Sequence, residues 1–116
     1  VPGKPTSVVT AALGRDSIQV FIQHPVRDGG QPITSYVIEW SDNNLFGNAG
    51  SLDVPVSSMF IFDTSTPTVV FELKSPAAQL IPGTKYFVRA SAISSIGQGL
   101  PTCAIHILMV FGRNYF

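Results

Sequence analysis

Hydrophobic positions in this chain recur every second residue, in short bursts separated by glycine and proline. In "SIQVFIQH" (17–24), Ile18, Val20 and Ile22 alternate with Gln19, Phe21 and Gln23, which predicts a strand with the first three residues on its buried face. "ITSYVIEWS" (33–41) sets Tyr36, Ile38 and Trp40 on one face of a second such strand. "KYFVRASAIS" (85–94) sends Tyr86, Val88, Ala90 and Ala92 inward and Phe87, Arg89, Ser91 and Ile93 outward. Val8, Thr10 and Leu13 mark a short first strand, "VVFELK" (69–74) a further one and "TCAIHILM" (102–109) the last. The connections follow from their turn formers: "PVRDGGQP" and "SIGQGLP" read as turns, "DNNLFGNAGS" (42–51) as a loop and "SPAAQLIPG" as a long corner. In "LDVPVSSMFIFDTSTPT" (52–68), Pro55 and Pro67 bar a central strand, while Met59 to Phe62 suits an edge. About seven strands with no helical periodicity predict an all-β fold of two antiparallel sheets packed face to face.

Length and composition narrow this picture. A chain of 116 residues makes one such sandwich and not two. Apolar residues make up 45% and charged residues only 12%, a composition that argues for a packed core and against disorder. With zero formal net charge and no long basic cluster, the footprint for nucleic acid is missing. The longest apolar run, Ile105 to Phe111, is interrupted by His106 and falls far short of the roughly 20 residues of a membrane span, so no membrane insertion by this segment is expected. Cys103 is the only cysteine, so no internal disulfide forms. "VPGKP" (1–5) has the stiff composition of an interdomain linker, and the domain proper is expected over 6–110, followed by an extension over 111–116.

The placement of Tyr86, just past a Pro-Gly turn, asks for a reason. Where a chain crosses from one sheet to the other, its backbone polar groups need partners. A tyrosine at the start of the next strand can bury its ring and direct its hydroxyl back to that backbone, with Leu80 and Pro82 shaping the corner.

The motif Leu80-x-Pro82-Gly83-Thr84-x-Tyr86, with Gly97-x-Gly99 and Pro101-Thr102 before the last strand, resembles the fibronectin type III family. Upstream, "PGKP", Pro25 and Asp28-Gly29-Gly30-x-Pro32-Ile33-Thr34-x-Tyr36 are similar again, so the resemblance runs over nearly the whole chain. It implies an immunoglobulin-like sandwich of fibronectin type III topology. Three departures stand out. Ile22 occupies the place of the family's core tryptophan, which leaves Trp40 to fill part of that volume. Ala90 and Ser94 replace a larger aliphatic and an asparagine, and the stretch 42–75 is longer than the pattern wants.

Candidate chemistry is sparse. His24, expected at a strand end, and His106, expected on an outward face, read as solvent-facing, and no motif sets a base beside a nucleophile. Cys103 with His106 is too few ligands for a metal, and Cys103 reads as a small, partly buried residue on an edge strand. No enzyme activity, cofactor or metal is expected. Recognition residues in this fold gather in end loops, which nominates Arg27 and Asp28 after the second strand and Gln98 before the last; no Arg-Gly-Asp tripeptide is present. The run "ILMVFGRNYF" leaves Leu108, Val110 and Phe111 as a candidate contact surface. It has three competing fates: packing on the 42–75 stretch, docking to a neighbouring domain, or strand pairing with a partner.

The function expected from the resemblance is a non-catalytic spacer and protein-interaction module of a larger protein. Its partners would be neighbouring domains and an unidentified protein. The family's frequent use in adhesion and cell-surface proteins suggests an extracellular site, with an intracellular multidomain protein as the alternative. A receptor-type module binding through the two end loops is the competing function, although no tryptophan or tyrosine is displayed in those loops.

Overall fold

Alternation in the sequence becomes two sheets in the computed structural model. It describes residues 1–14, 17–27, 29–43, 45–47, 49–63, 68–74, 78, 80–81 and 83–107, with backbone alone for 12–14, 62–63 and 105–107. Strands β1 (Ser7–Gly14), β2 (Ser17–Gln23), β6 (Thr68–Leu73) and β5 (Phe60–Asp63) lie side by side in that order. Opposite them, β4 (Gly50–Pro55), β3 (Ser35–Ser41) and β7 (Lys85–Ser94) form the second sheet, with β8 (Gly97–Gln98) and β9 (Thr102–Ile107) both paired to β7. All the pairings are antiparallel.

The core lies between the facing rows. Ile18, Val20 and Ile22 of β2 are buried with Tyr36 and Ile38 of β3 and Val88, Ala90 and Ala92 of β7. Register explains the two alanines: Tyr36 stands opposite Ala92 and Ile38 opposite Ala90, so a large side chain on one strand is set beside a small one on the next. Interiors at crystal-like density require such matching. Each fully buried Ile or Val here contributes on the order of 1.5–3 kcal/mol from leaving water. Ile22 is fully buried, Tyr36 heads the fully buried side chains by size, and Trp40 is half-buried against the same cluster.

Four expectations about the strands are corrected. First, β4 forms where a loop and an ambiguous stretch were read, because Gly50 and Pro55 look like breakers in sequence. Gly50 pairs with Trp40, whose ring lies so close that a Cβ on Gly50 would sit 2.2 Å from its Cε2. This glycine makes room for an indole, and Val54 two turns of the pleat later is buried. Second, the turn read at 95–101 contains β8, which brings the strands among the described residues to nine. Third, Ser91, expected outward, is buried, its Oγ accepting a 2.9 Å hydrogen bond from Gln98 Nε2. Fourth, Cys103 is exposed. Residues 1–5 lie against the sandwich: Pro2 and Pro5 are buried, and Pro5 O accepts a 2.6 Å hydrogen bond from Thr102 Oγ1.

Candidate functional site

The two ends of the sandwich are built differently. At one end β7 starts at Lys85, opposite Ile107 of β9, and the crossover from the first sheet arrives there. Gly83, at φ 81°, makes the turn that glycine alone adopts without steric cost. Tyr86 then buries its ring, and its hydroxyl accepts a 3.0 Å hydrogen bond from the Ile81 backbone N–H, while Leu80 is buried beside it. Pro82 lies outside the described residues.

The other end gathers the loop 24–34, the loop 95–101 and the chain's first five residues. Gly3 N–H donates to Arg27 C=O at 2.9 Å, Thr6 N–H to Gln23 C=O at 3.1 Å, and Thr6 Oγ1 to His24 C=O at 2.7 Å. Glycines on both loops permit this approach. A Cβ on Gly29 would stand 2.5 Å from Val1 O, and one on Gly99 would stand 2.1 Å from Pro2 O. Residues 1–5 thus form a strap seated between the two loops that sequence reasoning nominated for recognition. Arg27 is exposed at this end, and Gln98, exposed as a residue, turns its amide back onto Ser91. Asp28, Leu108, Val110 and Phe111 fall outside the described residues, as does the His106 side chain.

His24 is not solvent-facing as expected. Its ring stacks on Tyr36, with centroids 5.7 Å apart and planes 21° apart, and its Nδ1 meets the Tyr36 hydroxyl. Burial pushes the imidazole below its ordinary pKa and the phenol above its own, so the neutral pair has Tyr36 O–H donating to Nδ1. A cleft of about 690 Å³ opens beside it, lined by His24, Pro25, Val26, Arg27, Gly29, Gly30, Ile33 and Val56. His24 and Arg27 are the ionisable groups among the described lining residues. Such a lining can hold a peptide or loop against Pro25 and its aliphatic groups.

On the outer face of the second sheet, Arg89 Nε donates to Glu39 Oε1 at 2.7 Å, and its guanidinium lies 4.0 Å from the centroid of the Phe46 ring. Donating this hydrogen bond to the Glu39 carboxylate raises the Arg89 pKa further. Phe46, at φ 57°, is held in the left-handed region while its N–H donates to Asn43 C=O. This stack holds Phe46 against β7. Among the described residues no group of three or more His, Cys, Asp or Glu side chains could hold a metal ion, and no helix is long and apolar enough to cross a membrane.

The residues sequence reasoning missed are those of the strap, Val1 to Pro5, with Gly97 and Gly99 facing it. Their signal was present in "GQG", but a glycine that admits a neighbouring backbone looks the same in sequence as one that makes a turn.

Comparison with known proteins agrees with this architecture. The chain is 29% identical over 112 residues, 97% of its length, to human cardiac-type myosin-binding protein C, and 27% identical to the mouse protein over the same span. It spans only 8% of the length of these curated relatives. Among solved structures, the kinase region of twitchin from C. elegans superposes with a TM-score of 0.66 at 19% identity, covering 97% of this chain and 18% of that one. The FN5 domain of Drosophila Lar superposes with a TM-score of 0.64 at 22% identity, covering 94% and 98% respectively. The model of the fibronectin type III domain matches residues 3–107, and the chain belongs to that family.

Proposed function

We propose that this domain is a non-catalytic spacer and protein-interaction module within a multidomain protein. The observation that carries this reading is the placement of the chain at opposite ends of a rigid sandwich: the strap enters beside Arg27 and Gly99, while β9 runs out to Ile107 at the Tyr86 end. Such a body fixes the separation of whatever is joined to either side. The small share of the relatives' length that this chain matches supports the same reading. Relatives named for binding myosin weigh toward the intracellular alternative and away from adhesion at a cell surface. Interaction with an unidentified protein partner remains part of the proposal, with Arg27 as the exposed candidate at the strap end. The 690 Å³ cleft keeps a receptor-type ligand-binding role as the second reading.

A domain-replacement experiment tests this. Exchange of the domain, within its parent polypeptide, for an unrelated fibronectin type III domain of equal length should preserve the parent's assembly if the role is spacing alone. Loss of assembly that is restored by returning the native loop residues would indicate specific contact. Turnover of any substrate by the purified domain would overturn the non-catalytic reading.

A further inference from the structure

We infer that the outer face of the first sheet is a self-docking surface, on which a second copy of this chain stacks with its own first sheet. The inference rests on the protein-interaction part of the reading above and gives that part a surface and an occupant. Outward positions of a sheet with one face on the core are ordinarily polar, because they meet water. One transverse row breaks that rule: Val9 pairs with Phe21, Phe21 with Val70 and Val70 with Phe60, so four apolar side chains cross β1, β2, β6 and β5 in register. At the two ends of the row Val9 is 53% exposed and Phe60 67%. Phe21 is partly exposed, and Val70, which lies outside the core cluster, is recessed to 6% among its neighbours on this face. A continuous apolar stripe across a sheet marks a contact surface.

The row is complementary to itself. A two-fold axis lying along the strands, in the plane between two such faces, reverses the order of the row. It sets Phe21 over the recessed Val70 of the second copy and Val9 over its Phe60, an aromatic ring against a smaller aliphatic group at every step. Two hollows accept the ends. One of about 340 Å³ beside Val9 and Phe21 takes Phe60 of the second copy, and one of about 420 Å³ beside Phe60 and Phe21 takes its Val9. Charge favours the same occupant. Among the described side chains of this face Glu72 alone is charged, and Lys74 neutralises it at 3.1 Å, so the face meets its like without repulsion and offers a charged partner nothing. Four strands about 4.8 Å apart and about 20 Å long cover roughly 400 Å² a side, half of a standard interface, so the association is weak and reversible.

The test follows the 116-residue chain through a dilution series from millimolar to low micromolar, by sedimentation and by nuclear magnetic resonance. The expected result is a monomer–dimer equilibrium in which the resonances of Val9, Phe21, Val70 and Phe60 move together with concentration while those of the end loops stay fixed. Val9→Ser and Phe60→Ser together remove only exposed groups; they should leave the melting temperature unchanged and raise the dissociation constant about tenfold or more. Ile96→Ser, at an exposed position in an end loop, should change neither. Chains carrying Val9→Lys and chains carrying Phe60→Glu, each poor at pairing with itself, should associate when mixed, since the reversed row sets the two new charges opposite each other. A chain that stays monomeric through the series, a dimer that survives the double substitution, or charged variants that fail to pair on mixing would overturn the inference, as would a row that moves only on addition of an unlike protein. A monomer leaves the spacer reading standing, because that reading fails in the domain replacement and not on dilution.

Discussion

The Tyr86 corner and the N-terminal strap do the same job at opposite ends of the sandwich, and they do it with different parts of the chain. At the corner one side chain fastens the crossover: a buried ring and a hydroxyl that accepts from Ile81 N–H at 3.0 Å. At the strap the fastening is backbone against backbone, Gly3 N–H to Arg27 C=O at 2.9 Å, made possible by missing side chains at Gly29 and Gly99. A side-chain fastener couples its loop to the core through the ring it buries. A backbone fastener at an end couples a terminal segment to two loops and only indirectly to the core. The first should therefore govern global stability and the second local order.

The largest expected effect separates these two roles. Tyr86→Ala removes a buried aromatic ring and should cost about 3–5 kcal/mol, measured by denaturant unfolding. A loss no greater than that of an exposed residue would erase the distinction. Next, Tyr86→Phe keeps the ring and deletes the acceptor of the Ile81 N–H; about 1–3 kcal/mol is expected if that group is left unpaired. Comparison of the two variants divides the corner into its ring and its hydroxyl.

Gly99→Ala addresses the other end. Its methyl would sit 2.1 Å from the Pro2 oxygen, so the strap should lift, with loss of about 1 kcal/mol, the worth of one hydrogen bond. Hydrogen exchange at Gly3 should accelerate while the amides of β2 and β3 stay protected. A global loss as large as that of Tyr86→Ala would show the strap to be part of the core.

The smallest effect is a pH dependence. His24 ionises below its ordinary value in the fold because burial disfavours its charge, whereas the unfolded chain takes up that proton near pH 6.5. The stability it contributes is fully present above pH 6.5 and drains as pH falls toward the lower folded value. The melting temperature should decline on acidification through that window, and His24→Gln should flatten the decline. An unchanged slope would mean that the stack on Tyr36 does not hold the imidazole neutral.

The same contrast explains how far the sequence could be read. Ile18, Val20, Ile22, Tyr36 and Ile38 announced their strands because alternation of buried and exposed side chains is what a half-buried strand requires. The family and the two-sheet architecture followed from such positions and from Tyr86. What escaped was written in glycine. Gly50 lay in the loop read over 42–51, yet in the fold it opens β4 opposite Trp40. Gly97 and Gly99 signalled a turn, yet they pair in part with β7 and admit the strap. A residue without a side chain says that something comes close without saying what. His24 was misplaced for a related reason: its partner Tyr36 lies 12 residues away in the other sheet, and only the packing of the two sheets brings the rings together.

The bond between Thr102 Oγ1 and Pro5 O spans 97 positions. Strands β1 and β2 can zip together through near neighbours soon after both have been made. The first five residues have only half of that choice: Arg27, which holds Gly3, is made early, whereas Gly99 and Thr102 are made near the end. During synthesis, then, the earliest part of the domain to leave the ribosome is completed last, and a chain halted before position 102 would hold its beginning through Arg27 alone, without the bond to Pro5.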